Sequence, residues 1–198
     1  MFRRFHIVLI SMMALALQAV TAQDATLTES LQAFSEIKVF DGISVTLIPG
    51  DRNEAVIKGS NTGDVAIVVS DGVLKIRMQV TKIFSGYRTF VEVYYKQPLK
   101  VIDVNEDARI ISEEVIRQDV LEVKAQEGGE IRIRAEVTQF LVKAVTGGLI
   151  TAEGSSKNQD VQINTGGIYK GKALQKENDK LIEIAAMSKI KKDGDSFS

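Results

Sequence analysis

The 198-residue chain has no cysteine, no tryptophan, only two prolines and a single histidine. Without cysteine there is no disulfide framework, and no thiol for lipid attachment at a processing site. The histidine, His6, lies in an amino-terminal segment that reads as a removable export signal. A mature chain lacking His and Cys cannot run a Ser-His-Asp or Cys-His mechanism, and it lacks the ligands of the usual zinc, copper or non-haem iron site. Carboxylate, lysine, arginine and tyrosine chemistry remains, and no cofactor or metal is expected. Charge of one sign is not in excess either. With 25 basic and 26 acidic residues the net charge is -1, which gives no electrostatic footprint for a nucleic acid partner.

Long hydrophobic runs are also missing. The apolar stretch Ile7 to Leu17 is 11 residues, against roughly 20 needed to span a bilayer. Preceded by Arg3 and Arg4 and followed by Val20-Thr21-Ala22, it has the layout of a signal peptide over residues 1–22. Cleavage would leave 23 basic and 26 acidic side chains, a net of -3, with no membrane span in the mature chain. The expected location is therefore exported: periplasmic, outer-surface or secreted.

What is abundant is β-branched residue. From Gln23 onward Val and Ile number 19 each, against 10 Leu. These side chains lose rotamer freedom in a helix and pack well on a pleated sheet. Alternating segments such as Ile43-Ser44-Val45-Thr46-Leu47, Val73-Leu74-Lys75-Ile76 and Ile131-Arg132-Ile133 read as strands. Asp41-Gly42 and Asp71-Gly72 are expected at hairpin ends, and Pro49-Gly50 suits the centre of a type II turn. Short helices are expected only around Ser30 or over Ser112 to Arg117.

The second half repeats. Gly128-Gly129, Gly147-Gly148 and Gly166-Gly167 follow one another at 19 residues, and the next step reaches Ala185-Ala186. Strands entering these turns are expected to begin near Leu121, Leu141, Val161 and Leu181. At the same shift Val123, Val142 and Val161 share one column, and Ala125, Ala144, Ile163 and Ile182 another. Stacked coils need such columns, because each coil buries its inward residues against the same positions of its neighbours. The glycine pairs are then the corners. The alternative of a β-meander with glycine turns explains three equal spacings less well.

Several of these features occur together in a known family. The opening Phe34-Ser35-Glu36-Ile37-Lys38-Val39, the strand Gly42-Ile43-Ser44-Val45-Thr46-Leu47 followed by Gly50-Asp51, and the Gly-Gly-Ile and Gly-Gly-Leu corners resemble the head GIN domain family of auto-transporter adhesins. The resemblance covers roughly Phe34 to Ile184. It implies an all-β, right-handed β-helix-like fold reminiscent of pectin lyases, with an envelope or secreted location in Bacteroidetes-type bacteria. It further implies an adhesion role without established catalytic residues. The expected organisation is a signal peptide at 1–22, a linker at 23–33, antiparallel hairpins leading into a solenoid of 19–20-residue coils over 34–184, and a polar tail at 185–198. Relatives continue through further coils, so an open last coil is expected here. Its unpaired edge would invite a second copy to stack.

Candidate sites are few. Asp103 and Glu122 are 19 apart and could stack as paired carboxylates near Asp107 and Arg109, as a polysaccharide lyase or glycosidase would require. Solvated strand charges are the favoured reading. Lys124 and Lys143 form a similar ladder, with Arg132 and Arg134 alternating on a strand, and could meet acidic glycans or simply keep an outer sheet soluble. Phe84 to Phe90 with Tyr94 and Tyr95 gathers aromatics, of which Tyr87 and Tyr94 are candidate contacts. Thr146-Gly147-Gly148 and Asn164-Thr165-Gly166-Gly167 share only glycine content with phosphate-binding loops. The sequence thus points to a non-enzymatic surface module whose partner is an envelope protein or polysaccharide. A carboxylate-based carbohydrate enzyme and a structural envelope subunit are the rivals.

Overall fold

A computed structural model describes residues 26–59, 62–79, 89–184 and 189–190. The expected signal peptide, Tyr87 with the rest of 80–88, and Ala185-Ala186 with most of the tail lie outside the described residues. Strands dominate, and no α-helix occurs among the described residues. In chain order they are β1 (Leu27–Ser30), β2 (Glu36–Val39), β3 (Ser44–Pro49), β4 (Glu54–Gly59), β5 (Val65–Ser70), β6 (Val73–Met78), β7 (Thr89–Tyr95) and β8 (Val101–Val104). The long strands β9 (Arg109–Ala125), β10 (Glu130–Ala144), β11 (Leu149–Asn164) and β12 (Ile168–Ile184) follow, with β13 (Lys189–Ile190) last.

The long strands stack in parallel as a β-solenoid of about four turns, with antiparallel strands at the start. Each bends midway, so its two halves belong to two separate rows. One row runs β1-β4-β7-β3 and then through the first halves of β9 to β12. The other runs β5-β6-β2-β8 and then through the second halves. Alternation places Ile131, Ile133, Ala135, Phe140, Val142 and Ala144 inside on β10, and the neighbouring coils repeat the pattern. The strands begin well before Leu121, Leu141, Val161 and Leu181, because the bends leave the pairing continuous.

The glycine corners divide their labour. Gly128, Gly147 and Gly166 have φ between +77° and +78°, a region costly for side-chain-bearing residues. Their partners are excluded from bearing a side chain by contact instead. A Cβ on Gly148 would lie 2.1 Å from the Ala125 carbonyl oxygen, and one on Gly167 2.1 Å from that of Ala144. Coils also bond at these corners: the Gly128 N–H donates to the Thr146 carbonyl at 3.2 Å, and that of Gly147 to Thr165 at 3.3 Å.

Four local expectations are corrected. Ser30 closes β1, and Ser112 to Arg117 lies within β9, where pairing to β10 on either side takes up the backbone groups a helix would need. The register there jumps from Ile133↔Ser112 to Arg134↔Val115, and the Ser112 hydroxyl donates to the Glu114 carbonyl at 2.8 Å across the bulge. Asp71-Gly72 does join the antiparallel pair β5 and β6, but Asp41-Gly42 is a coil corner, since β2 and β3 pair with other strands. Gly50 lacks the positive φ of a type II turn, and its N–H instead donates to Tyr95 at 2.9 Å. Finally, a second irregularity at Thr151/Glu153 shifts β12 by one, so Ile163 pairs with Glu183 and Ile182 leaves the expected column.

Two buried tyrosines in this core have raised pKa values. Burial, helped by the charge of Glu114, pushes the Tyr95 hydroxyl up to about 12. Burial and then Asp179 raise that of Tyr169, whose hydroxyl donates to Gln159 at 2.7 Å. An unfolded tyrosine ionises near pH ~10, so above that pH the unfolded chain loses protons first and the fold weakens. The melting temperature should hold below pH ~10 and fall above it, with a shallower fall in Tyr95→Phe. An unchanged slope in that variant would refute the assignment.

Candidate functional site

The second row of strands presents a line of lysines outward. Register pairs Lys75 with Lys38, Lys38 with Asp103, Asp103 with Lys124, and Lys124 with Lys143. At ~4.8 Å between strands, the line from Lys75 to Lys143 extends about 19 Å. Asp103 interrupts it, buried, with Lys38 Nζ at 3.7 Å and the Asn105 amide donating at 3.1 Å. Beside the line Glu122 takes Lys124 Nζ at 3.0 Å. Lys124 and Lys143 are thus adjacent, as their spacing predicts.

Asp103 and Glu122 are not. The bulge in β9 lengthens that coil, so β8 meets β9 at an offset of 21, and Glu122 faces Val101. The two carboxylates occupy different positions along their strands, and each is engaged by a lysine. Asp107 sits at a corner with φ +56°, while Arg109 pairs with Glu130 at 2.9 Å. These carboxylates are paired strand and corner charges, as the favoured reading has it.

Arg132 and Arg134 lie on the first row, paired with Glu130 at 3.3 Å and Glu153 at 3.2 Å, and do not extend the lysine line. Tyr94 also belongs to the first row. It is half-buried, donates to Glu92 at 3.3 Å, and holds the Arg52 guanidinium 4.2 Å from its ring centre. Its neighbour Phe90 is 50% exposed and Tyr95 is buried. The structure therefore separates Tyr94 from Lys124 and Lys143, and Tyr87 lies outside the described residues.

A groove at the head of the lysine line went unnoticed in the sequence. It measures about 740 Å³ and is lined by Lys38, Lys75 and Arg77, by the apolar Val68 and Phe40, and by Asp41 and Glu106. Asp41 sits at a corner where its carboxylate accepts the Met78 N–H at 2.9 Å, and the Gly42 N–H donates to the Glu106 carbonyl at 2.8 Å. A side-chain hydrogen bond with Asp41 raises the Glu106 pKa, aided by partial burial and the negative charge of Asp41 and Glu127. The groove joins segments that pair across 37 positions, Glu36 to Val73, a distance no 19-residue repeat signals. Among the described residues no His, Cys, Asp and Glu group has a metal-binding arrangement.

Stacked parallel coils with charged outer ladders define a β-solenoid. The chain belongs to the family described as putative auto-transporter adhesin, head GIN domain, whose model matches residues 33–191. A solved structure from Bacteroides fragilis, named a putative adhesin, is similar with a TM-score of 0.72 and 13% identity, over 82% of this chain and 79% of that one. A Parabacteroides distasonis structure of the same description matches with a TM-score of 0.64 and 17% identity, over the same shares. Another from that organism, named a putative lipid binding protein, has a TM-score of 0.59 and 14% identity, over 82% and 79%. Identities this low establish a common fold. No curated protein matches the chain.

Proposed function

We propose that the chain is an exported, non-enzymatic binding module that holds an envelope or extracellular polymer against the outer surface of its second strand row. The observation that carries this reading is the lysine line, four lysines over five successive register positions on stacked strands. A stacked sheet fixes the spacing of its side chains, so it can meet a repeating polymer at several points at once, and several weak contacts then add to useful retention. Family membership and neighbours named as adhesins support it. Engagement of Asp103 by Lys38 and of Glu122 by Lys124 speaks for binding over catalysis at that pair of carboxylates.

The test is an array of immobilised polysaccharides and envelope proteins probed with the exported chain, scoring both retention and breakdown. Retention without product is the expected result. Breakdown of any polymer, or retention of nothing by a folded sample, would overturn the reading.

A further inference from the structure

The groove at the head of the lysine line is better furnished than the rest of that line. Lys75 and Arg77 project from alternate positions of β6, both exposed, and Lys38 stands beside Lys75 on the adjoining strand. Lys38 has Asp103 at 3.7 Å, whereas Lys75 and Arg77 have no carboxylate partner among the described residues. Further along the line Lys124 is neutralised by Glu122, and on the other row Arg117 by Glu136 and Arg134 by Glu153, while Lys143 at the far end has no carboxylate partner among the described residues. Two cations without a carboxylate partner beside a third give the groove one basic wall.

The other walls differ in chemistry. Val68 faces Lys75 across the β5-β6 pair and is 52% exposed, the most open of the large apolar side chains among the described residues. With Phe40 it offers a C–H-rich floor of the kind that one face of a sugar ring covers. Asp41 and Glu106 also line the groove, with carboxyl oxygens able to accept hydroxyl hydrogen bonds. Anion-binding cations, an apolar floor and hydroxyl acceptors in one open groove match a ligand that carries a negative group and several hydroxyls on one ring.

We infer that this groove binds an acidic saccharide unit of a polymer, its carboxylate or sulfate on Lys38, Lys75 and Arg77 and its hydroxyls on Asp41 and Glu106. The polymer then follows the strand stack toward Lys124 and Lys143, passing over Asp103. This deepens the proposed function and rests on it. The groove sets the ligand class, and the remaining line adds length-dependent affinity. Val68 and Phe40 distinguish this site from a bare basic patch, since they reward a ring and not merely a charge.

The experiment measures affinity of the exported chain for polygalacturonate, dextran sulfate, neutral dextran and phosphatidylglycerol vesicles, at two salt concentrations. Both acidic polymers should bind, neutral dextran should not, and Lys75→Gln with Arg77→Gln should weaken binding at least about tenfold. Both positions are exposed, so the melting curve of this variant should match that of the parent. Val68→Ala should weaken the polymers while leaving the salt dependence unchanged. Full loss on Lys124→Gln with Lys143→Gln, and none on the groove variant, would overturn the groove assignment while leaving the binding function intact. Retention of a protein or neutral glycan alone would do the same. Vesicle binding that the groove variant abolishes, with no polymer bound, would replace the saccharide by a lipid headgroup. No retention by any ligand on the wider array would defeat the parent reading as well.

Discussion

Gly148→Ala should cost about 3 kcal/mol or more, beyond the usual range for overpacking, and Gly147→Ala only about 1–2 kcal/mol. The order is counterintuitive, because Gly147 is the residue with φ +77°. Yet a Cβ on Gly147 would meet only the Gly128 nitrogen at 3.9 Å, and Thr146 beside it already holds φ +47° with a full side chain. Gly148 faces a wall. Its Cβ would stand 2.1 Å from the Ala125 oxygen, 2.3 Å from the Ala125 carbon and 2.8 Å from the Gln126 nitrogen. All three are backbone atoms of the preceding coil, so no side chain can swing away, and relief requires the coils to part. Parting them strains bonds such as the Val145 N–H to the Ala125 carbonyl at 3.0 Å. At roughly 2–4 °C per kcal/mol for a chain of this size, Gly148→Ala should lower the melting temperature by about 6–12 °C. Equal melting curves for the two variants would show that the corner yields more easily than this packing implies.

That corner was legible in the sequence, while the groove was not, and the difference is physical. Paired glycines 19 residues apart report a constraint that recurs in every coil, and β10 and β11 pair throughout at that offset. Where the chain departs from the repeat, extrapolation fails. The bulge between Ser112 and Val115 moved Glu122 away from Asp103, and the irregularity at Thr151/Glu153 moved Ile182 out of its column. The first bulge carries no glycine or proline and its Ser112-Glu113-Glu114 imitates a helix start, while the second holds Gly171 on β12, which stands outside the 19-residue glycine spacing. Asp41-Gly42 and Asp71-Gly72 are alike in sequence and in their positive φ, yet one turns a coil and the other a hairpin. Only long-range pairing decides between them, and the same pairing brings Lys38 to Lys75.

Phe140→Ala should be the most damaging single core truncation, at about 3–5 kcal/mol. The ring is fully buried and lies in register between Leu121 of one coil and Gln159 of the next. It therefore fills the space between two coils, and neither neighbour can expand into the void without losing its place in the strand pairing. Gln159 shapes the outcome further. It is buried, accepts the Tyr169 hydroxyl at 2.7 Å, and donates to Asp179 at 3.1 Å. A cavity beside this amide has a polar wall, so water can enter it and lower the cost toward about 3 kcal/mol. Phe140→Leu keeps most of the volume and should cost less than about 1.5 kcal/mol. Because coils contact only their neighbours, the damage should also be local. Hydrogen exchange should quicken in β10 and in the adjoining halves of β9 and β11, while β2, β6 and β8 retain their protection. Uniform loss of protection across both groups would mean that the coils unfold as one unit, and that the stack lacks the nearest-neighbour energetics assigned to it.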